Sequence, residues 1–149
     1  METMRIDAFL RESPMFAVNR AARRFNQFVD RALAADGLGL MEGLVLVAIL
    51  FEAPKPIKPS QLAETFATTR ANISHSLSSL EAKGLLQRRI DPADARAYLL
   101  TLKPAGKRCA MRVIRAYDRM QQMFEKEIGK AALVDALKVI RELEALTRA

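Results

Sequence analysis

Apolar residues recur at helical intervals through most of this chain and give way to strand-like alternation once, around Tyr98, Leu100 and Leu102. Leu62, Ala63 and Phe66 lie at helical spacing behind Pro59, which suits a first turn because the amide it lacks would have no helical partner there. They predict a short helix from about Pro59 to Phe66. The ATT stretch breaks the pattern, and Thr68 or Thr69 offers a hydroxyl to the free amides that open a following helix. That second helix runs to Gly84, a residue fitted to the left-handed cap after Lys83.

The second helix has two unlike faces. At about 100° per residue, Ile73, Leu77 and Leu80 share the side that packs on the preceding helix. Ala71, Ser74, His75, Ser78 and Ala82 share the other, which is small, polar and nearly uncharged. A solvated face usually carries Glu and Lys, whereas a face that enters a DNA major groove about 12 Å wide favours short donors, acceptors and methyl groups. A Ser-rich surface helix with no such role fits this segment alone equally well.

LLQRRI and AYLLTL are β-rich runs joined by DPADAR, with Pro92 at the turn, and predict a two-stranded hairpin directly after the second helix. From Arg70 to Arg108 eight Lys and Arg stand against three Asp and Glu, a local net charge of +5 out of +7 for the chain. Most of the positive excess therefore lies in about a quarter of the length, as a phosphate-binding surface requires. Arg96, at the end of the hairpin tip with Asp94 close enough to hold its guanidinium, is placed to enter a narrow minor groove. A structural Asp–Arg pair closing the turn is the other reading. Arg88 and Arg89 are assigned to phosphate contacts from charge alone.

Helices flank this unit on both sides. One, opened by Ser13 and Pro14, carries Val18, Ala22, Phe25, Phe28, Val29, Ala32 and Leu33 on a broad stripe before Gly37. The densest apolar run, Leu38 to Phe51, is interrupted by Glu42 and falls short of the roughly 20 residues of a bilayer span, so it predicts a buried central helix. After the hairpin a long helix from about Pro104 places Ala110, Val113, Ile114, Tyr117, Met120, Phe124 and Ile128 in register. Gly129 separates it from a last helix with Leu133, Leu137, Ile140 and Leu143. Terminal helices this apolar either fold back on the central helix or bury their stripes against a second copy of the chain; two-fold readers of DNA need the second.

The hairpin sequence DPADARAYLLTLKPAG resembles the Asp-x-x-Asp-x-Arg-x-x-x-Leu-x-Leu-Thr-x-x-Gly signature of the MarR family of bacterial winged-helix regulators, matched at Asp91, Asp94, Arg96, Leu100, Leu102 and Gly106. The preceding LAETFATTRANISHSLSSLEAKGLLQRR is similar to that family's helix-turn-helix, and the resemblance covers about 45 consecutive residues. Lys103 stands where the family usually has a helix-capping Thr, and His75 where Arg or Lys is common. The resemblance implies a mainly α (α+β) fold: a winged helix-turn-helix over residues 37–103 with a two-stranded β wing, and dimerisation helices over 1–36 and 104–149, in one domain of 149 residues.

It further implies a homodimeric regulator, more often a repressor than an activator, of a pseudo-palindromic operator, released by a small phenolic or otherwise lipophilic ligand. Thr69, Arg70, Asn72, Ser74, His75 and Ser78 become contacts of the reading helix, and Arg96 the minor-groove probe. Reading helices held about 34 Å apart would meet successive major grooves, with half-sites about 10 bp apart. Phe16, Met41, Leu44 and the start of the helix after Pro104 lie near the expected junction of the two parts, a candidate place for the ligand that leaves its residues and identity open.

Other classes find little support. The chain has no glycine-rich phosphate loop, no Cys and His cluster and no nucleophile with an evident base, so no enzyme, cofactor or metal is expected. Glu125 and Glu127 read as solvated helix residues. Cys109 is the only cysteine and His75 the only histidine; the first reads as a small hydrophobe in a reducing compartment, with thiol-based redox sensing as the alternative, and the second as a base or phosphate contact. A protein-interaction module without DNA binding would leave the charge of the wing unexplained. Charges at Glu2, Arg5, Asp7, Arg11 and Glu12 do not suit a signal peptide, which points to the cytoplasm.

Overall fold

The computed structural model of the chain describes residues 4–148; Glu2 of the charged N-terminal pattern lies outside them. In order, the elements are α1 (Arg5–Glu12), α2 (Pro14–Leu33), a 3-10 turn (Ala34–Asp36), α3 (Leu40–Glu52), α4 (Pro59–Thr65), α5 (Arg70–Ala82), β1 (Leu86–Asp91), β2 (Asp94–Leu102), α6 (Pro104–Ile128) and α7 (Lys130–Leu146). The chain divides after Met111 into two compact units.

The first unit is built on α3, the apolar run around Glu42, which buries Gly43, Val45, Leu46, Val47 and Ile49. Ile73, Leu77 and Leu80 of α5, Leu62 of α4, Leu86 and Leu100 of the hairpin, and Cys109 and Ala110 of α6 are also buried in this core. Helix α1 was not expected from the pattern. Its eight residues have no side-chain cap and bury nothing, so the periodic signal is short; Phe9 meets Phe16 of α2 with ring centroids 5.8 Å apart.

Between α4 and α5 both candidate threonines are used, for different groups. Thr69 caps α5, its Oγ1 accepting from the Asn72 backbone N–H at 3.1 Å, while Thr68 Oγ1 accepts from the Asn72 side-chain amide at 2.8 Å. Ala67 turns the chain with φ 51°, and α4 ends at Thr65, with Phe66 as its cap. At the other end of α5, Lys83 is the cap and Gly84 takes φ 72°, as expected.

The hairpin is longer and its tip tighter than the sequence suggests. Leu86 pairs with Leu102, Arg88 with Leu100 and Ile90 with Tyr98, and after a register shift Asp91 pairs with Asp94, leaving only Pro92 and Ala93 as the connection. Arg96 thus lies within β2 rather than in the loop. Two contacts root the hairpin on the segment between α3 and α4: the Leu100 N–H donates to the Ile57 carbonyl at 3.0 Å, and Asp91, buried, lies 3.4 Å from Lys58 Nζ. Asp91 also accepts from the Ala93 N–H at 2.9 Å, shaping the tip.

Glu42, the one charge in the apolar run, closes a polar junction between α3 and α5. One carboxylate oxygen accepts from the Gly39 N–H at 3.3 Å; the other accepts from Ser79 Oγ at 3.0 Å and from Lys83 Nζ at 2.7 Å. Lys83 also donates to the Gly37 carbonyl at 2.6 Å. Burial pushes the pKa of Glu42 up, but the bonds from Lys83, Ser79 and Gly39 and the Lys83 charge together outweigh it and hold the carboxyl below its ordinary 4.5.

A depressed carboxyl contributes stability above its unfolded-state pKa, and that stability is lost as the pH falls through the folded value. Glu42→Gln is therefore expected to cost about 1 to 3 kcal/mol at neutral pH. The deficit relative to wild type should shrink in urea melts taken below pH 4.5; a deficit independent of pH would assign the loss to packing instead.

The second unit contains the rest of α6 and α7. These helices meet at Gly129, whose φ of 97° only glycine adopts without strain. Val113 is buried and Tyr117 and Phe124 half-buried, while α7 buries no residue; Val134, Leu137 and Ile140 are exposed. Among the described residues no single helix is long and apolar enough to cross a membrane.

Candidate nucleic-acid interface

Helix α5 presents the expected outward face. Arg70, Ala71, Ser74, His75 and Ser78 are all exposed, and Ile73 and Leu77 behind them are at most 1% exposed, so the face stands on a fixed base. Its first turn is held by the Thr69 cap, and a separate bond from the Asn72 side-chain nitrogen to Thr68 leaves the Asn72 side-chain oxygen as an acceptor.

Between α5, the start of α4 and the face of β2 lies a cleft of about 430 Å³, bordered by Lys58, Arg70, Ser74, Arg88, Arg96 and Tyr98. Four cations and the carboxylate of Asp94 thus border one concavity, with Lys58 paired to Asp91 and Arg88 to Glu81. Arg89, also expected at phosphates, is exposed on β1.

Two residues sit differently from the sequence expectation. Asp94 Oδ1 accepts from the backbone N–H of Arg96 at 3.0 Å, so it fixes the main chain under Arg96 rather than holding its guanidinium. The Arg96 head is left exposed. Arg88 turns inward: its Nη2 donates to Ser78 Oγ at 2.7 Å, its Nε lies 3.6 Å from Glu81, and its guanidinium carbon is 5.8 Å from the centre of the Tyr98 ring. Ser78, accepting from Arg88, keeps its single hydroxyl donor for an outside partner.

Sequence reasoning missed Lys58 altogether and, having counted Lys83 toward the basic surface, missed its pairing with Glu42. Lys58 and Lys83 flank helix ends and read as ordinary solvated lysines; only the fold shows which carboxylates they meet. Phe16, Met41 and Leu44 are half-buried or partly exposed, and Phe16 is taken up by Phe9. Cys109 is buried at 2% exposure.

A short helix, a capped second helix with an open polar face, and a hairpin folded beside it define a winged helix-turn-helix protein. Residues 36–97, the winged region, match the model of the MarR family. A candidate transcriptional regulatory protein for the hcr operon of Thauera aromatica is 27% identical over 119 residues, which cover 80% of this chain and 70% of the relative. Among solved structures, the fold is similar to MepR of S. aureus in complex with DNA (TM-score 0.82, 16% identity, 89% of this chain and 97% of that one). It is similar also to the repressor CouR bound to a 23-mer DNA duplex (TM-score 0.82, 22% identity, 96% and 99%). At these identities the structural likenesses establish the fold.

Proposed function

We propose that the chain is a transcriptional regulator that binds duplex DNA as a homodimer. Helix α5 enters the major groove with Arg70, Ser74 and His75 toward base edges, Thr69, Asn72 and Ser78 flank that contact, and Arg89 meets phosphate. Arg96 reaches the adjoining minor groove. The observation that carries the reading is the exposed face of small polar residues on α5 beside a cleft that Lys58, Arg70 and Arg96 border. Two DNA-bound neighbours of the same fold support it.

Dimerisation through residues 1–36 and 104–149 is supported by the exposed apolar residues of α2 and α7, Phe25, Val134, Leu137 and Ile140 among them. On this reading the protein represses a pseudo-palindromic operator in the cytoplasm and is released by a small lipophilic or phenolic ligand. A ligand that binds better at one spacing of the two reading helices than at another shifts the equilibrium by that difference in affinity.

Selection of bound duplexes from a random library is the direct test. An inverted repeat with half-sites about 10 bp apart is expected, with affinity falling steeply as salt rises; indifference to DNA at low salt would refute the reading. Deleting the residues after Gly129 is expected to yield monomers by sedimentation and to abolish operator binding. A truncated chain that still sediments as a dimer would place the interface elsewhere.

A further inference from the structure

We infer that Arg88 is a positioning residue that locks the wing against the reading helix and acts on DNA through Arg96 rather than by a phosphate contact of its own. The inference rests on the DNA-binding reading above and departs from it at this residue. An arginine that serves phosphate keeps its guanidinium in solvent, as Arg89 and Arg96 do. The side chain of Arg88 is only 19% exposed, and its Nε is buried without a hydrogen-bond partner, 3.6 Å from the Glu81 carboxylate.

Its contacts span two elements. Ser78 and Glu81 belong to α5, one turn apart on the helix, whereas Tyr98 belongs to β2 and Arg88 itself to β1. One planar head therefore bridges the reading helix and both strands of the wing. A guanidinium suits this task, because its fork can donate to a hydroxyl and set its charge beside a carboxylate while its face lies over an aromatic ring, which a lysine ammonium cannot reproduce.

The consequence for DNA follows from the strand geometry. Arg88 pairs across the hairpin with Leu100 and lies over the Tyr98 ring, two residues from Arg96 in β2, and all three of Arg88, Tyr98 and Arg96 border the same cleft. Fixing Tyr98 against Arg88 thus fixes the stretch of β2 from which Arg96 rises beside Ser74 and His75. The latch sets the offset between the major-groove and minor-groove contacts and confines Ser78 to a supporting part.

The test uses the full chain and the selected duplex. Arg88→Met, Arg88→Lys, Arg96→Ala and the Arg88→Met, Arg96→Ala double variant are compared by fluorescence anisotropy over a salt series, with amide hydrogen exchange of residues 94–98 followed in the absence of DNA. Arg88→Met is expected to weaken binding roughly tenfold, the scale of one lost groove contact, with the salt slope unchanged. Lys is expected not to rescue, the double variant to bind no worse than Arg96→Ala, and the wing amides to exchange severalfold faster.

A salt slope lower by about one, rescue by Lys, or losses that multiply in the double variant would instead make Arg88 an independent phosphate contact and overturn the inference. Should wild type bind no duplex, the DNA reading fails by itself, and the exchange measurement still decides the latch. Ser78→Ala, which takes the acceptor from Arg88 and leaves the guanidinium in place, gives the same exchange readout without DNA if Arg88→Met does not fold; unchanged wing exchange in it sinks the latch.

Discussion

Replacing Gly106 with Ala is expected to destabilise the first unit by about 3 kcal/mol, at the upper end of what overpacking usually costs. A Cβ at this position would overlap the carbonyl oxygen of Leu85 and lie 2.8 Å from its carbonyl carbon, and both are backbone atoms that no rotamer change can move. The same carbonyl accepts from the Lys103 N–H at 3.0 Å, so shifting it to relieve the clash would weaken that bond as well. The first turn of α6 can approach the α5–β1 connection this closely only without a side chain. A urea melt that keeps its midpoint in Gly106→Ala would show that the two segments separate at little cost.

Arg96→Ala is expected to leave folding and assembly intact and to weaken operator binding by about 1 to 3 kcal/mol. Its head is exposed and its backbone is held by Asp94, so removing the guanidinium removes a ligand contact and nothing internal. The loss should be greatest for sites with A·T-rich flanks, whose narrow minor groove concentrates negative potential. Equal mobility-shift affinity for wild type and variant would remove Arg96 from the interface.

These two residues mark what could be read in advance. Helix α5 was legible almost to the residue because its limits depend on local chemistry: a threonine cap at one end, glycine in the left-handed region at the other, and Ile73, Leu77 and Leu80 in phase between them. The wing was legible as a hairpin, but its tip was drawn too wide. Asp91 and Asp94 read as loop residues, whereas they pair and leave two residues for the turn.

Side-chain direction was the hidden part. Nothing in the string RR distinguishes Arg88 from Arg89; strand alternation sends one toward Ser78 and the other to solvent. Likewise, proximity of Asp94 to Arg96 suggested an ion pair, while the nearest donor available to a carboxylate two residues earlier is the main-chain amide. The Glu42 junction joins residues 37 and 41 positions apart, beyond any local pattern.

The way the wing is rooted has an evolutionary corollary. The hairpin is tied to the α3–α4 connection at its middle through Leu100 with Ile57 and just before its tip through Asp91 with Lys58, whereas Pro92 and Ala93 at the apex are exposed. Selection can therefore retune the apex by substitution with little penalty to folding, so paralogues built on this frame are free to diverge in the flanking sequence they prefer while inheriting an unchanged scaffold.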